Sequence, residues 1–281
     1  MSIERAMVFT YMQKEPLISI ITATYNDDRF LADTIRSVIE QTHSNWEWII
    51  VNNGSTDTTQ EILDGLDESR IYAIHLNDNL GVSGGRNCAL QQAKGAFFCF
   101  LDGDDLLTPN SLQSRLDRFT SDQVEFVDGA VDQFDNQTGE VIHTYVPKYK
   151  GQPFERLLSL DGSVFMGNTW MIRKMPGKNY SFRQGLTHGE ELLFYVQVCQ
   201  SGLFDYTPET ILKYRRHQSS AMSNLHGLLK GYKEIKLGLQ EMNIAPDHIR
   251  LFGRKSASIM FKSYLKKGQV WDAFRAYFAL R

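Results

Sequence analysis

The sequence predicts an α/β fold: a mixed, mainly parallel sheet flanked by helices, with a helical C-terminal extension. Three observations predict it. Short apolar runs alternate with segments of helical spacing through the first half of the chain, polar clusters stand directly after those runs, and residues 226 to 281 differ from the rest in charge and periodicity.

Ile18 to Ala23 reads as a first strand. Phe30, Leu31, Ile35, Val38 and Ile39 then recur at helical spacing, and Trp46 to Val51 forms a second strand. Ile62, Leu63 and Leu66 mark the next helix, Ile71 to Leu76 a third strand, Cys88 to Ala93 another helix and Ala96 to Leu101 a fourth strand. After Pro109 come a helix, a strand through Phe126 to Phe134, a turn at Asn136 to Gly139 and a returning strand, which together predict a hairpin. The second half is less regular, without an internal repeat or a low-complexity linker. This divides the chain into a main domain over 1 to 225 and an extension over 226 to 281.

With 281 residues, 42% apolar and 22% charged, the chain can bury a sizeable core. The start, MSIERAMVFTYMQKE, carries an acid at Glu4 and no apolar run of signal-peptide length, and the run Ala96 to Leu101 is far too short to span a bilayer. A cytoplasmic protein is therefore expected. Cys88, Cys99 and Cys199 lack metal-ligand spacing and read as reduced core residues.

The net charge of −3 hides an uneven distribution. From His226 onward eleven Lys/Arg stand against four Asp/Glu, a surplus of +7, which leaves −10 for residues 1 to 225. An acidic body without interleaved basic and aromatic side chains argues against a nucleic-acid partner.

In open sheets of this kind ligands collect beyond the carboxyl ends of the strands. Strand one delivers Thr22, Tyr25, Asn26 and Asp27; strand two delivers Asn52, Asn53, Gly54, Ser55 and Asp57; strand four delivers Asp102, Gly103, Asp104 and Asp105. Three carboxylates within four residues repel one another unless a cation lies among them, and oxygen ligands favour Mg²⁺ or Mn²⁺. A calcium-binding EF-hand is excluded, because Leu107 stands where its glycine belongs; an exposed acidic turn is the plain alternative. A divalent ion at a sheet's carboxyl edge implies a phosphate-bearing ligand. The stretch Asn79 to Asn87 reads as a loop opening the next helix, in which small residues around Gly81 allow close backbone approach and Arg86 supplies a positive fork. It matches neither the dinucleotide nor the Walker pattern.

ISIITATYND, VNNGSTD, NLGVSGGRNCAL, FLDGDDLLTP, HGEELLF and YRRHQSSAMS, in this order across most of residues 16 to 223, resemble the family 2 glycosyltransferases of GT-A fold. The resemblance implies transfer of a hexosyl or N-acetylhexosaminyl group from a nucleotide-diphosphate donor to an acceptor hydroxyl, with inversion, on a surface polysaccharide or glycolipid precursor. It implies that the donor nucleotide meets Thr22, Tyr25, Asn26, Asn52, Asn53, Asp57, Gly81, Arg86, Asp102 and Gly103. Asp104 would be the main ligand of a Mn²⁺ or Mg²⁺ ion and His217 a second one. Glu191 would be the catalytic base, in a pair that reads Glu190-Glu191 where the family carries Glu-Asp. Asp105, Glu190, Arg215 and Arg216 would support the site, either arginine meeting the diphosphate. Many members read VDDGSTD where Asn52 and Asn53 stand here, and amides offer donors as well as an acceptor. UDP is the first choice of donor nucleotide. His188 and Trp170 are candidates for the acceptor pocket, although Trp170 fits the core equally well.

Two other classes were weighed. A sugar nucleotidyltransferase needs an early Gly-rich loop, and residues 18 to 29 contain no glycine. A non-catalytic nucleotide-sugar-binding module would not need the metal and base carboxylates.

In the extension, Ala245-Pro246-Asp247 begins a helical stretch with Ile249, Phe252, Ile259, Met260 and Leu265, and after Gly268 a second places Val270, Trp271, Phe274, Tyr277 and Phe278 on roughly one face. Packing on the main domain, self-association into an oligomer, and peripheral contact with an anionic membrane at the inner face of the cell membrane are the roles open to it.

Overall fold

The computed structural model describes residues 15–186, 188–216 and 225–281. In chain order its elements are β1 (Ile18–Thr24), α1 (Leu31–Ile39), β2 (Trp46–Asn53), α2 (Thr59–Asp64), β3 (Ile71–Leu76), α3 (Gly81–Gln92), β4 (Phe97–Phe100), β5 (Leu106–Leu107), α4 (Ser111–Leu116), β6 (Val124–Asp135), β7 (Val141–Tyr145), α5 (Phe154–Leu158), β8 (Met171–Arg173), α6 (Glu190–Val198), β9 (Leu203–Arg216), α7 (Leu225–Glu241), α8 (Pro246–Lys266) and α9 (Val270–Leu280).

The strands form one sheet in the order β3-β2-β1-β4-β8-β6-β9-β5, with β7 paired to β6. The four strands β3-β2-β1-β4 are parallel throughout, as crossover helices require. Beyond β4 the sheet becomes mixed, because β8 runs antiparallel to both β4 and β6, whereas β6 and β9 pair in parallel. The predicted hairpin is β6–β7, closed by hydrogen bonds between Asp135 and Gly139 and between Asp135 and Glu140.

Strand alternation divides the core into two layers. Ile21, Ile49, Val51, Phe98 and Phe100 face α3, α6 and part of the extension. Ile18, Ile20, Trp48, Ile50, Cys99 and Leu101 face Leu31, Ile35 and Val38 of α1, together with Leu63 and Leu112. The three cysteines are free, with Cys99 and Cys199 buried.

Two boundaries differ from the sequence expectation. β2 runs on through Asn52 and Asn53, which pair with His75 and Leu76 of β3. α3 begins at Gly81, so the glycine-rich stretch is helix and not loop. Its glycines answer to packing: a Cβ on Gly85 would stand 2.7 Å from the Ala23 Cβ, and one on Gly84 would stand 2.5 Å from the Leu80 Cβ.

The extension is helical, as expected. Ile235, Leu239, Ile244 and Phe252 of the extension share a core with Phe100 and Phe194, while Ala257, Met260, Tyr264, Ala273, Ala276 and Leu280 form a further cluster within the extension itself. No helix among the described residues is long and apolar enough to cross a membrane.

Candidate active site

The tips of β1 and β2 are tied to each other. Asn26, which holds φ +58°, donates its backbone N–H to the Ser55 hydroxyl at 3.0 Å and accepts from the Thr56 N–H at 2.8 Å. Asp57 accepts from the backbone N–H groups of Asp28 and Thr59 at 3.1 and 3.0 Å, which fixes the loop and covers the start of α2. Tyr25 is exposed beside them.

Three residues expected against the nucleotide, Thr22, Asn52 and Asn53, are buried and hydrogen-bonded within the protein. Thr22 is fully buried; its hydroxyl donates to the Leu101 carbonyl at 2.6 Å and accepts from the Trp48 indole at 2.9 Å. Asn53 is buried, donating to the Asn79 side chain at 3.1 Å and the Gly81 carbonyl at 3.0 Å while accepting from the Leu80 N–H at 2.9 Å. Asn52, also buried, accepts from the Ser55 N–H and pairs with His75. An amide can donate and accept together, and here that capacity fastens β2 to the loop preceding α3.

The acidic turn after β4 splits into two roles. Asp102 and Asp104 are half-buried, whereas Asp105 is buried, with Oδ1 accepting from the Arg215 N–H at 2.8 Å. Arg215 lies between the Phe30 and Phe134 rings and donates its Nε to the Asp104 carbonyl at 2.7 Å. Asp105 and Arg215 thus support the turn. Burial raises the Asp105 carboxyl well above its usual range, and the nearby Asp104 and Asp102 raise it further.

Asp27, which the sequence placed at the tip of strand one without a role of its own, belongs to this group. It accepts from the Thr24 hydroxyl at 2.7 Å, and a Cβ on Gly103 would lie 2.7 Å from its Oδ2. Burial, with Asp104 and Asp102 adding, raises its pKa to about 6. Its place directly after Asn26 at a strand tip was the available signal.

No group of three or more His, Cys, Asp or Glu side chains among the described residues is arranged to hold a metal ion. His217 lies outside the described residues. The donor set nevertheless fits a hard divalent cation of the kind held by one or two carboxylates plus substrate phosphates: its ligands are oxygens, and a cation would relieve the repulsion from Asp104 and Asp102 that adds to burial in raising Asp27 and Asp105.

Arg86 connects this turn to the loop and helix bearing the expected base. It is buried, its Nη2 donating to Asp102 at 2.7 Å while its Nη1 lies 3.4 Å from Glu190, and the guanidinium also sits over Phe182. Burial raises the Glu191 carboxyl, Glu190 raises it further, and Arg86 partly offsets both. Gly189, at φ +74°, turns the chain into α6.

Arg86, Asp102, Glu190 and Glu191 line one cleft of about 330 Å³, whose lining does not include Asp27, Asp104 or Asp105. Arg86, Asp102, Glu190, Glu191 and Arg216 are the charged residues among its lining, accompanied by Gln133, Tyr214 and His188, which the sequence offered for an acceptor pocket. Trp170 is core, stacked on Tyr195 at 4.2 Å. The cleft also contains Leu228 and Tyr232 of α7, which sequence reasoning missed because an amphipathic helix reads simply as packing.

Residues 19–180 match glycosyl transferase family 2. The chain belongs to this family. It is 32% identical over 222 residues to the Escherichia coli UDP-Glc:alpha-D-GlcNAc-diphosphoundecaprenol beta-1,3-glucosyltransferase WfgD, covering 78% of this chain and 83% of that protein. With the E. coli UDP-Glc:alpha-D-GlcNAc-diphosphoundecaprenol beta-1,3-glucosyltransferase WfaP it is 38% identical over 110 residues, 39% of this chain and only 44% of that protein. The fold is that of GT-A glycosyltransferases. S. aureus TarS 1-349 in complex with UDP-GlcNAc superposes with a TM-score of 0.67 at 17% identity, covering 88% of this chain and 72% of that one. The mannosyltransferase PcManGT from Pyrobaculum calidifontis, in complex with GDP-Man and Mn²⁺, gives 0.58 at 13% identity over 95% and 74%.

Proposed function

We propose that this family 2 glycosyltransferase transfers a hexosyl or N-acetylhexosaminyl group, with inversion, from a UDP-sugar to a hydroxyl of a lipid-linked or polysaccharide-precursor acceptor. The observation that carries this is the buried Arg86, which holds the donor-turn carboxylate Asp102 and the base-pair member Glu190 at the edge of one cleft. The similarity to WfgD and WfaP, both named as UDP-Glc-dependent glucosyltransferases acting on a diphosphoundecaprenol-linked sugar, supports the donor and the acceptor class.

Asp104 and Asp102 would hold a Mn²⁺ or Mg²⁺ ion, which when bound neutralises charge developing on the leaving diphosphate. Tyr25, Asn26, the Ser55 loop, Gly81 and Gly103 shape the nucleotide's seat, with Asp57 bracing it. Glu191 takes the acceptor hydroxyl proton as that oxygen bonds to the anomeric carbon and the bond to the diphosphate breaks. One displacement inverts the centre. Glu190 and Arg86 keep the Glu191 carboxylate in place, and Arg216 faces the same cleft. The basic extension adds peripheral contact with an anionic membrane, where lipid-linked acceptors reside.

The test is a panel of nucleotide-sugars incubated with the full chain, reading nucleoside diphosphate release with and without EDTA. UDP-sugars should be consumed only with the ion present, and Asp104→Ala should lose metal-dependent UDP binding. Full turnover in EDTA, or preference for a GDP- or dTDP-sugar, would overturn those parts of the proposal.

A further inference from the structure

The cleft around Glu191 is lined by two unlike sets of side chains. Beside its charged groups stand Leu160, Phe165, Leu228 and Tyr232. The last two come from α7, outside the segment that matches the family.

α7 is built into the site, not laid against it. A Cβ on Gly231 would stand 2.7 Å from the His188 carbonyl oxygen, and one on Gly189 would stand 2.7 Å from Ile235 Cδ1. The helix therefore abuts the backbone that leads into Glu190 and Glu191. Leu160 closes the C-terminus of α5 with φ +52°, its N–H donating to the Leu157 carbonyl and the Asp161 N–H to the Arg156 carbonyl, which fixes where its side chain meets the cleft. No lining residue comes from the tips of β1, β2 or β3, where the nucleotide loops lie. What Asp102 and Arg86 leave of the cleft thus faces the acceptor.

We infer that Leu228 and Tyr232, with Leu160 and Phe165, form an acceptor-recognition wall, and that the acceptor sugar carries a methyl-bearing substituent, N-acetyl or 6-deoxy, near its reacting hydroxyl. This rests on the glycosyl-transfer reading above. A sugar edge bearing only hydroxyls would lose water against Leu228, Leu160 and Phe165 without gaining hydrogen bonds, whereas a methyl group gains by the same burial. Tyr232 supplies a ring face with a polar end. A cleft of about 330 Å³ is at the small end of ligand pockets, roughly 300–1,000 Å³, and suits one sugar better than a long chain.

The test reads binding without turnover, so it stands apart from the donor question. Saturation-transfer NMR on the UDP-bound full chain is run with N-acetylglucosamine, fucose and glucose. Saturation should concentrate on the acetyl or 6-deoxy methyl, with glucose bound about tenfold more weakly or less. Leu228→Trp, which fills the cleft, should remove the signal while UDP affinity holds; should that variant lose UDP binding, Leu160→Trp serves from the neighbouring segment. Equal binding of glucose, or methyl saturation persisting in the filled variants, overturns the wall. Wild type that binds these sugars but consumes no nucleotide-sugar instead counts against the proposed function.

Discussion

Arg86 lies 2.7 Å from Asp102 and is buried among Phe100 and Phe182, so the acidic turn after β4 and the loop entering α6 share one nearly buried cation. Arg86→Met should cost about 2–3 kcal/mol in urea unfolding, under the roughly 3–5 kcal/mol of fully buried pairs because the Asp102 side chain is 42% exposed. It should also push the Glu191 carboxyl higher still, since Arg86 is the cation that offsets Glu190. Turnover that survives within a few fold would mean that the bridge is only structural.

The raised Glu191 carboxyl sets a pH dependence. In the proposed role Glu191 must be ionised to accept a proton, so kcat/KM should keep rising with pH well past the ordinary glutamate value of about 4.3, and should reach its plateau only above the raised pKa. Glu191→Gln should lower kcat by about 10²–10⁴ and leave UDP affinity near wild type. A plateau already reached near pH 5, together with an active Gln variant, would move the base elsewhere, Glu190 being the next candidate.

Asp128 lies outside the cleft, at full burial on β6. Burial raises its pKa from 3.8 to about 7, against the Gly129 N–H and the charge of Arg115. The folded protein therefore keeps this proton where the unfolded chain has released it. Its contribution to stability is complete below about 3.8 and is lost as pH rises through 7, a change of up to about 4 kcal/mol. Asp128→Asn, which stays neutral, should raise Tm at pH 8 and leave it nearly unchanged at pH 4. An equal Tm difference at both pH values would remove the proton from the explanation.

The first half of the fold was legible because its strands are short, mostly apolar segments broken only by single polar residues such as Ser19 and Glu47, and each polar tip stands where such a segment ends. Asp102, Asp104 and Glu190-Glu191 were legible as groups of like charge that need a reason. The roles of Asn52 and Asn53 were not, since sequence shows an amide's capacity but not whether solvent or protein uses it. Nor were Leu228 and Tyr232, whose helical spacing is the same whether they meet a core or a substrate. Arg86 was visible as a cation, but its two partners lie 16 and 104 residues away and only the folded sheet brings them together.

The outer face of α9 gives the last prediction. Ala273, Ala276 and Leu280 are buried against the neighbouring helices, which leaves Trp271 at 81% and Phe278 at 72% exposure, with Val270 and Phe274 also outward. Lys266, Lys267 and Arg275 are exposed nearby, on a segment whose surplus is +7. An apolar stripe bordered by bases fits the headgroup region of an anionic bilayer, where each base contributes about 1 kcal/mol at low salt. The full chain should co-sediment with phosphatidylglycerol-containing vesicles, less with neutral ones, and should be released as salt shortens the screening length. Trp46, Trp48 and Trp170 are buried, so a blue shift of fluorescence on vesicle addition reports Trp271. The double variant Trp271→Ser, Phe278→Ser removes only exposed side chains; it should keep its fold and UDP affinity and lose the vesicles. If it pellets like wild type, or if wild type ignores anionic vesicles at low salt, α9 is not a lipid-docking surface and its aromatic face awaits a protein partner or a second copy of the chain.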